Sequence, residues 1–293
     1  MNIALSLLSD MALIAMSAYI IGRNQYIIAC INNPGRLKHG LTLTAIFSLL
    51  SILGTYNGIP VEGALANTRL VGVLMSGIMG GPTVGISVGA ISGLHRYLLG
   101  GFTAETCGVA ALLGGLFAGL IRQKTGLHHM TWKSAALIAL IAEIAQKSMV
   151  LIFSKPFEAA WALEKAIAIP TTAVTVLGTL VFMLIIKDIH SQQEAASAKY
   201  AELSLQIANL TLPYLRHGLN SSSATATAEI IHRLTKVDAV SITNETHLLS
   251  FIGKGSDHHQ NNGQIVTRST QDAIADNKIA IIQHHEEDGC PVP

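Results

Sequence analysis

Two arginines stand where this chain can least accommodate charge. Arg69 and Arg96 lie in stretches built almost wholly of Leu, Val, Ile, Met and Gly. A guanidinium stays charged at any physiological pH, and its planar fork matches a carboxylate through two parallel hydrogen bonds. Two of them converging on one place would make a receptor for a small anion. Cys107, with a neutral thiol, and Asn67, Thr68 and His95 nearby in sequence could recognise a keto or hydroxyl group beside that carboxylate. Two plainer readings stand beside this one. Arg96 could snorkel to lipid headgroups, and Arg69 could simply pair with Glu62. Glu143 and Lys147 are spaced for an ion pair along one helix face, in the favourable order, and read as self-neutralising structure.

Other chemistry is thin. Cys30, Cys107 and Cys290 are too scattered for a disulfide framework or a zinc motif. His258-His259 and His284-His285 sit in polar, loop-like sequence, so no metal is expected, and no cofactor is implied. No Ser/His/Asp order, phosphate loop or paired-carboxylate site marks a catalytic centre. The balance of 19 Lys+Arg against 18 Asp+Glu excludes a strongly basic nucleic-acid binder.

The elements that must position the arginines are set by composition. Only 13% of residues are charged, against about 25% in an ordinary soluble domain, and mean hydropathy is +0.46. The deficit is confined to the first part of the chain, up to about Lys187. There, about seven apolar runs have lengths near those needed to cross a hydrocarbon core: residues 3–22, 41–56, 63–79, 84–99, 106–121, 134–153 and 168–186. The first lacks a positive n-region and contains Asp10, so it does not read as a cleavable signal. With seven spans, Arg23, Arg36 and Lys38, then Arg122, Lys124 and Lys133, then Lys187, all fall on one side. The positive-inside rule makes that side cytoplasmic and the N-terminus external. Arg69, Arg96 and Cys107 then lie near the outer ends of their spans.

Glycine predicts how the spans pack. Of 26 glycines, most lie between Gly54 and Gly119, and Gly77, Gly81, Gly85, Gly89 and Gly93 recur every four residues. That spacing puts them on one helix face, where backbones can approach closely. Gly80-Gly81-Pro82 cannot continue a helix comfortably, which predicts a tight turn or a broken helix. Broken helices in membranes are tolerated where they are buried in protein or line a polar cavity.

Beyond Lys187 the composition becomes that of a soluble domain. Ala195, Ala198, Ala201, Leu205, Ala208 and Leu212 recur at helical steps and predict an amphipathic helix. A helix over 224–234, strands over 239–243 and 247–252 with a turn at 244–246, a helix about 270–276 and a strand over 278–283 follow.

These residues resemble a known family. Asn57-Gly-Ile-Pro60, Ala66-Asn-Thr-Arg69, Gly80-Gly-Pro82, Gly93-Leu-His-Arg-Tyr97 and Gly100-Gly-Phe-Thr-Ala104 look like the membrane sensor of LytS-type histidine kinases, closely over residues 41–120. The resemblance implies a multi-span sensor, a GAF-like cytoplasmic domain and a dimerising kinase module that phosphorylates a response regulator. Such proteins are linked to sensing nutrients such as pyruvate or to control of the cell wall and autolysis. The resemblance is nearest the pyruvate-sensing branch, which implies Arg69, Arg96 and Cys107 as carboxylate-site residues. Where that branch tends to carry a serine three residues after the cysteine, this chain has Ala110.

The expectation is therefore an α-helical polytopic membrane bundle of about seven spans with Gly-rich broken helices, followed by an incomplete α+β GAF-like domain. Its parts are a transmembrane sensor (1–187), a connecting helix (188–217) and a partial GAF-like region (218–293). No His-Phe dimerisation helix and no Gly-rich ATP-binding segment occur in the sequence, so truncation is expected. Expected partners are a small carboxylate, the lipid bilayer, a second copy in a homodimer, and a response regulator acting through a kinase module outside this chain. A transporter, or a substrate-capture subunit for a small anion, is the competing class.

Overall fold

The protein is described here by a computed structural model, in which residues 3–61, 64–256, 259, 263–265 and 267–281 are described. The chain forms two compact units, Met1–Gln193 and Glu194–Pro293. The first contains α1 (Ile3–Arg23), α2 (Gln25–Asn32), α3 (Leu37–Tyr56), the short strands β1 (Ile59–Val61) and β2 (Ala64–Ala66), α4 (Arg69–Leu98), α5 (Ala104–Thr125), a 3₁₀ turn (Leu127–His129), α6 (Trp132–Phe153) and most of α7 (Phe157–Leu215).

Local chemistry sets several of these boundaries. The Asn24 side chain accepts from the backbone amides of Tyr26 and Ile27 and starts α2. Thr131 and Ser134 form a capping box that starts α6. Each satisfies amides that the first helical turn leaves without partners.

Among the described residues five helices, α3 to α7, are long and apolar enough to cross a membrane. This corrects the expected seven. The runs at 63–79 and 84–99 are not two independent spans but the halves of α4, which breaks at Gly81, where φ is 82° and ψ is −175°. Residues 69–80 would cover only about 18 Å as a helix, short of a bilayer core of about 30 Å. The chain before them is occupied by the antiparallel β1–β2 pair, with Pro60 opposite Leu65, so helix begins at Arg69 rather than at position 63. The first run, α1, is not among the five.

The two halves of α4 fold back on one another. A Cβ placed on Gly85 would lie 3.0 Å from the Cα of Gly77, an approach impossible along a straight helix, where eight residues span about 12 Å. At the opposite end, Ser51 of α3 ties the halves together: its hydroxyl donates to the Arg69 carbonyl at 3.0 Å and lies 2.7 Å from the Ser92 hydroxyl. Every residue from Arg69 to Gly81 is buried, so the first half is the central post of the bundle. That fits a segment apolar on all sides. Leu74, Met75 and Ile78 meet Phe47 of α3 and Phe182 and Met183 of α7 in the core.

The second half of α4 packs on α5 through glycine. A Cβ on Gly85 would stand 2.2 Å from the Gly115 carbonyl oxygen, and one on Gly115 would stand 2.1 Å from that of Gly85. Any side chain at either position would push the helices apart. Below this crossing, Arg122 donates to the Ile31 carbonyl at 3.0 Å, and its guanidinium lies beside Gly81. The turn of α4 and the basic end of α5 therefore share one face of the bundle, and Arg69, Arg96 and the start of α5 share the other.

The segment 154–167, which falls between the expected runs 134–153 and 168–186, is helical from Phe157 onward. α7 then continues without a break to Leu215, through the residues of the expected connecting helix.

The second unit holds the end of α7, then α8 (Ser221–Thr235), β3 (Ala239–Thr243), β4 (Leu248–Gly253) and α9 (Arg268–Asp276). Asn220 and Ser223 form a capping box on α8. β3 and β4 pair antiparallel, with Ser241 opposite Phe251 and a register irregularity at Ile242/Thr243. No strand forms over residues 278–281, a correction to the expected strand there: the αL residue Asn277 ends α9 and the chain beyond finds no ladder partner among the described residues. The expected histidines 258, 284 and 285 and Cys290 lie outside the described residues.

Candidate ligand site

Arg69 is the first residue of α4, 1% exposed. The Asn67 side chain accepts from its backbone amide at 3.3 Å, which fixes the entry to the helix. The guanidinium uses one nitrogen, Nη2, to reach the Cys107 carbonyl of α5 at 3.3 Å. Its Nε and Nη1 are buried without a hydrogen-bond partner. Leaving donors of a charged group unmatched in a dry interior is costly, so this is where an anion would gain most.

Arg96, also 1% exposed, comes from the second half of α4. Its Nη1 donates to the Gly100 carbonyl and its Nη2 to the Thr103 hydroxyl at 3.3 Å. Arg96 is thus buried rather than extended to headgroups, and it organises the loop that leads into α5. The fold-back of α4 puts the two arginines on one end of the bundle, and Arg69 lies within electrostatic reach of Arg96, Cys107 and Glu143. Like charges held together in a poor dielectric favour an anion between or beside them.

The other expected residues divide. Cys107 is half-buried with a free thiol, and its carbonyl is already used by Arg69. His95 turns toward α3, with Nε2 3.4 Å from the Tyr56 hydroxyl and the two rings edge-to-face at 5.3 Å; it does not join the arginines. Gly80, Gly81 and Pro82 form the turn at the far end of α4. Glu143 and Lys147 form an ion pair one turn apart on α6, with Glu143 2% exposed. Glu62 lies outside the described residues.

Three residues at this end were invisible to sequence reasoning in this role. Thr103 anchors Arg96. Asp10 of α1 is 3% exposed and accepts from the side chains of Asn57 and Thr68, holding α1 against the rim. Glu164 of α7 is 8% exposed and lies within electrostatic reach of Lys147 and Glu143. An acid within an apolar run was the available signal for Asp10; Glu164 looked like a loop charge.

Sequence comparison relates the chain to known proteins. The family model described as 5TMR of 5TMR-LYT matches residues 25–189, which contain the arginine site and begin after α1. Sensor protein LytS of Bacillus subtilis (strain 168) is 35% identical over 307 residues, covering 99% of this chain and 52% of its own length. Sensor protein LytS of Bacillus anthracis is 32% identical over 315 residues, covering 100% and 53%. Sensor histidine kinase BtsS of Escherichia coli (strain K12) is 31% identical over 290 residues, covering 97% and 52%. The chain spans about half the length of these curated relatives. No solved structure matches it. A multi-pass bundle with its buried charges on one end, aligned along nearly its whole length with sensor proteins, places the chain in the 5TMR-LYT family, the membrane sensor domain of LytS-type histidine kinases.

Proposed function

We propose that this chain is the sensing portion of a two-component histidine kinase that binds a small, pyruvate-like carboxylate at Arg69 and Arg96. The carrying observation is the pair of unmatched Arg69 nitrogens in a buried, doubly basic site. In this reading the neutral groups of Cys107 and Asn67 select what accompanies the carboxylate. The basic face bearing Arg122 is cytoplasmic by the positive-inside rule, which opens the arginine end to the outside. In this reading residues 1–187 sense, 188–217 connect, and 218–293 form part of a GAF-like domain. Two copies pair, and the signal reaches a kinase module and its response regulator beyond the half of the relatives' length covered here.

The test is calorimetric titration of sodium pyruvate into the chain in lipid nanodiscs. Hydrogen bonds to charged groups contribute about 1.5–3 kcal/mol each, so Arg69→Ala and Arg96→Ala should each weaken binding by about tenfold to a hundredfold. Unchanged affinity in both variants would overturn the site. The break at Gly81 also suits a transporter or capture subunit, since such folds carry broken helices beside charged substrate sites. Pyruvate counterflow into proteoliposomes would favour transport over sensing.

A further inference from the structure

The two arginines of the candidate site sit at the free ends of a hinge. Arg69 begins the first half of α4 and Arg96 lies near the end of the second, with the break at Gly81 between them. Each is about 20 Å of helix away from that break. A change of about 5° at Gly81 would therefore displace either end by about 1.7 Å, whereas a binding constellation must be held to within about 0.5 Å. Close glycine contacts, such as Gly93 against the Gly108 backbone, keep the second half near α5, but apolar packing is non-directional. Ser51 of α3 supplies a directional tie. Its hydroxyl has one proton and donates it to the Arg69 carbonyl at 3.0 Å, so the Ser92 hydroxyl, 2.7 Å away, must donate to Ser51 Oγ. Both serines are fully buried, and Ser92 stands one turn before Arg96 on the same face of α4. α3 lies directly against the start of α4: a Cβ on Gly72 would be 2.9 Å from the Ser51 backbone nitrogen, and one on Gly54 would be 3.2 Å from that of Arg69.

We propose that Ser51 is a positioning residue of the ligand site: through the Arg69 carbonyl and the Ser92 hydroxyl it fixes the separation of the two guanidiniums. This rests on the reading of Arg69 and Arg96 as the carboxylate site. Ser51 acts through the two arginines and needs no contact with the ligand. The two serines carry unequal shares of the tie. Ser51→Ala removes both links at once and leaves the Ser92 hydroxyl to turn back to a carbonyl of its own helix, as helical serines do. Ser92→Ala removes only the link to the second half and leaves the bond from Ser51 to Arg69 in place. Because both substitutions cut one chain of hydrogen bonds, their effects do not add.

Ser76 provides the control. It too is fully buried on α4, but its hydroxyl donates within its own helix, to the Val73 carbonyl at 2.6 Å, and ties no two elements together. The test is calorimetric titration of sodium pyruvate into the chain in lipid nanodiscs. Ser51→Ala and Ser92→Ala should each weaken binding by about threefold to tenfold, the net worth of one hydrogen bond. The Ser51→Ala/Ser92→Ala double variant should bind no more weakly than Ser51→Ala, and Ser76→Ala should bind like the parent. Binding itself shows that a variant is folded; should Ser51→Ala fail to fold, the comparison of Ser92→Ala with Ser76→Ala decides. Parent affinity in either Ser51→Ala or Ser92→Ala overturns the positioning role and leaves the ligand site standing. An equal loss in Ser76→Ala, or losses that multiply in the double variant, does the same. A parent that binds no pyruvate removes the ligand site, and the positioning role with it.

Discussion

The crossing of α4 and α5 gives the sharpest prediction, because it depends on space of atomic dimensions. A Cβ on Gly115 would stand 2.1 Å from the Gly85 carbonyl oxygen, and one on Gly85 would stand 2.2 Å from the Gly115 carbonyl oxygen. Ordinary contact begins near 3.4 Å, so Gly115→Ala must part the helices by roughly 1.3 Å. Over-packing a close-packed interior costs about 1–3 kcal/mol. Here both opposing atoms belong to backbone and no side chain can swing away, so the upper end, about 3 kcal/mol, is expected. The same displacement acts on Cys107, about two turns nearer the start of α5. Its carbonyl is 3.3 Å from Arg69 Nη2, already near the outer limit of a hydrogen bond, and a shift of even half an ångström breaks it. Gly115→Ala should therefore lower the melting midpoint in detergent by roughly 5–10 °C and weaken pyruvate binding. Gly35→Ala, where no atom lies within 4 Å of the added Cβ, should change neither. Equal melting midpoints for the two variants would refute the close packing on which the site geometry depends.

Other expectations follow from particular contacts. Arg96→Lys keeps the charge but cannot hold the Gly100 carbonyl and the Thr103 hydroxyl with one planar fork; pyruvate titration should show a loss of tenfold or more. Glu143→Gln strands Lys147 in the interior, at a cost of about 3–5 kcal/mol, and the Glu143→Gln/Lys147→Met double variant should melt closer to the parent than Glu143→Gln does. Asn220→Ala removes the cap of α8 and should cost about 1 kcal/mol, read as faster hydrogen exchange in the first turn of α8. On the surface of the second unit, Lys254 sits 2.6 Å from Asp238 and, by hydrogen bonding and then charge, holds its carboxyl below the ordinary value; Asp238 in turn raises the Lys254 ammonium. The small stabilisation of this exposed pair is present at neutral pH, lost as pH falls through the depressed carboxyl value, and lost again as pH rises through the raised ammonium value. Lys254→Met should return the Asp238 titration, followed by NMR, toward 3.8.

Much of the membrane unit was legible in sequence because bilayer physics is written in composition. Apolar length marked α3, α5 and α6, and the glycine spacing marked the face on which α4 meets α5. The break at Gly80-Gly81-Pro82 was legible because proline and glycine act on the chain locally. What the break does was not legible. A turn between two spans and a fold-back of two short halves leave the same sequence trace, and the span count erred there. The β1–β2 pair erred similarly: three-residue strands carry too little pattern to separate them from the apolar start of a helix.

By itself, the sequence determined that this is a multi-pass membrane protein, that Arg69 and Arg96 are its anomalous charges, and to which family their surrounding motifs point. The first two conclusions rest on the free energy of single groups in hydrocarbon, which depends on residue type alone, and the third on the resemblance of short motifs. Only the tertiary structure decided that the fold-back of α4 brings both arginines to one end, that Arg96 is committed to Gly100 and Thr103 while Arg69 keeps two nitrogens free, and that His95 belongs with Tyr56 instead. It also moved Glu164 from between two expected spans onto α7, where it is buried. These are distances between residues far apart in the chain, set by how closely glycine lets the helices pack.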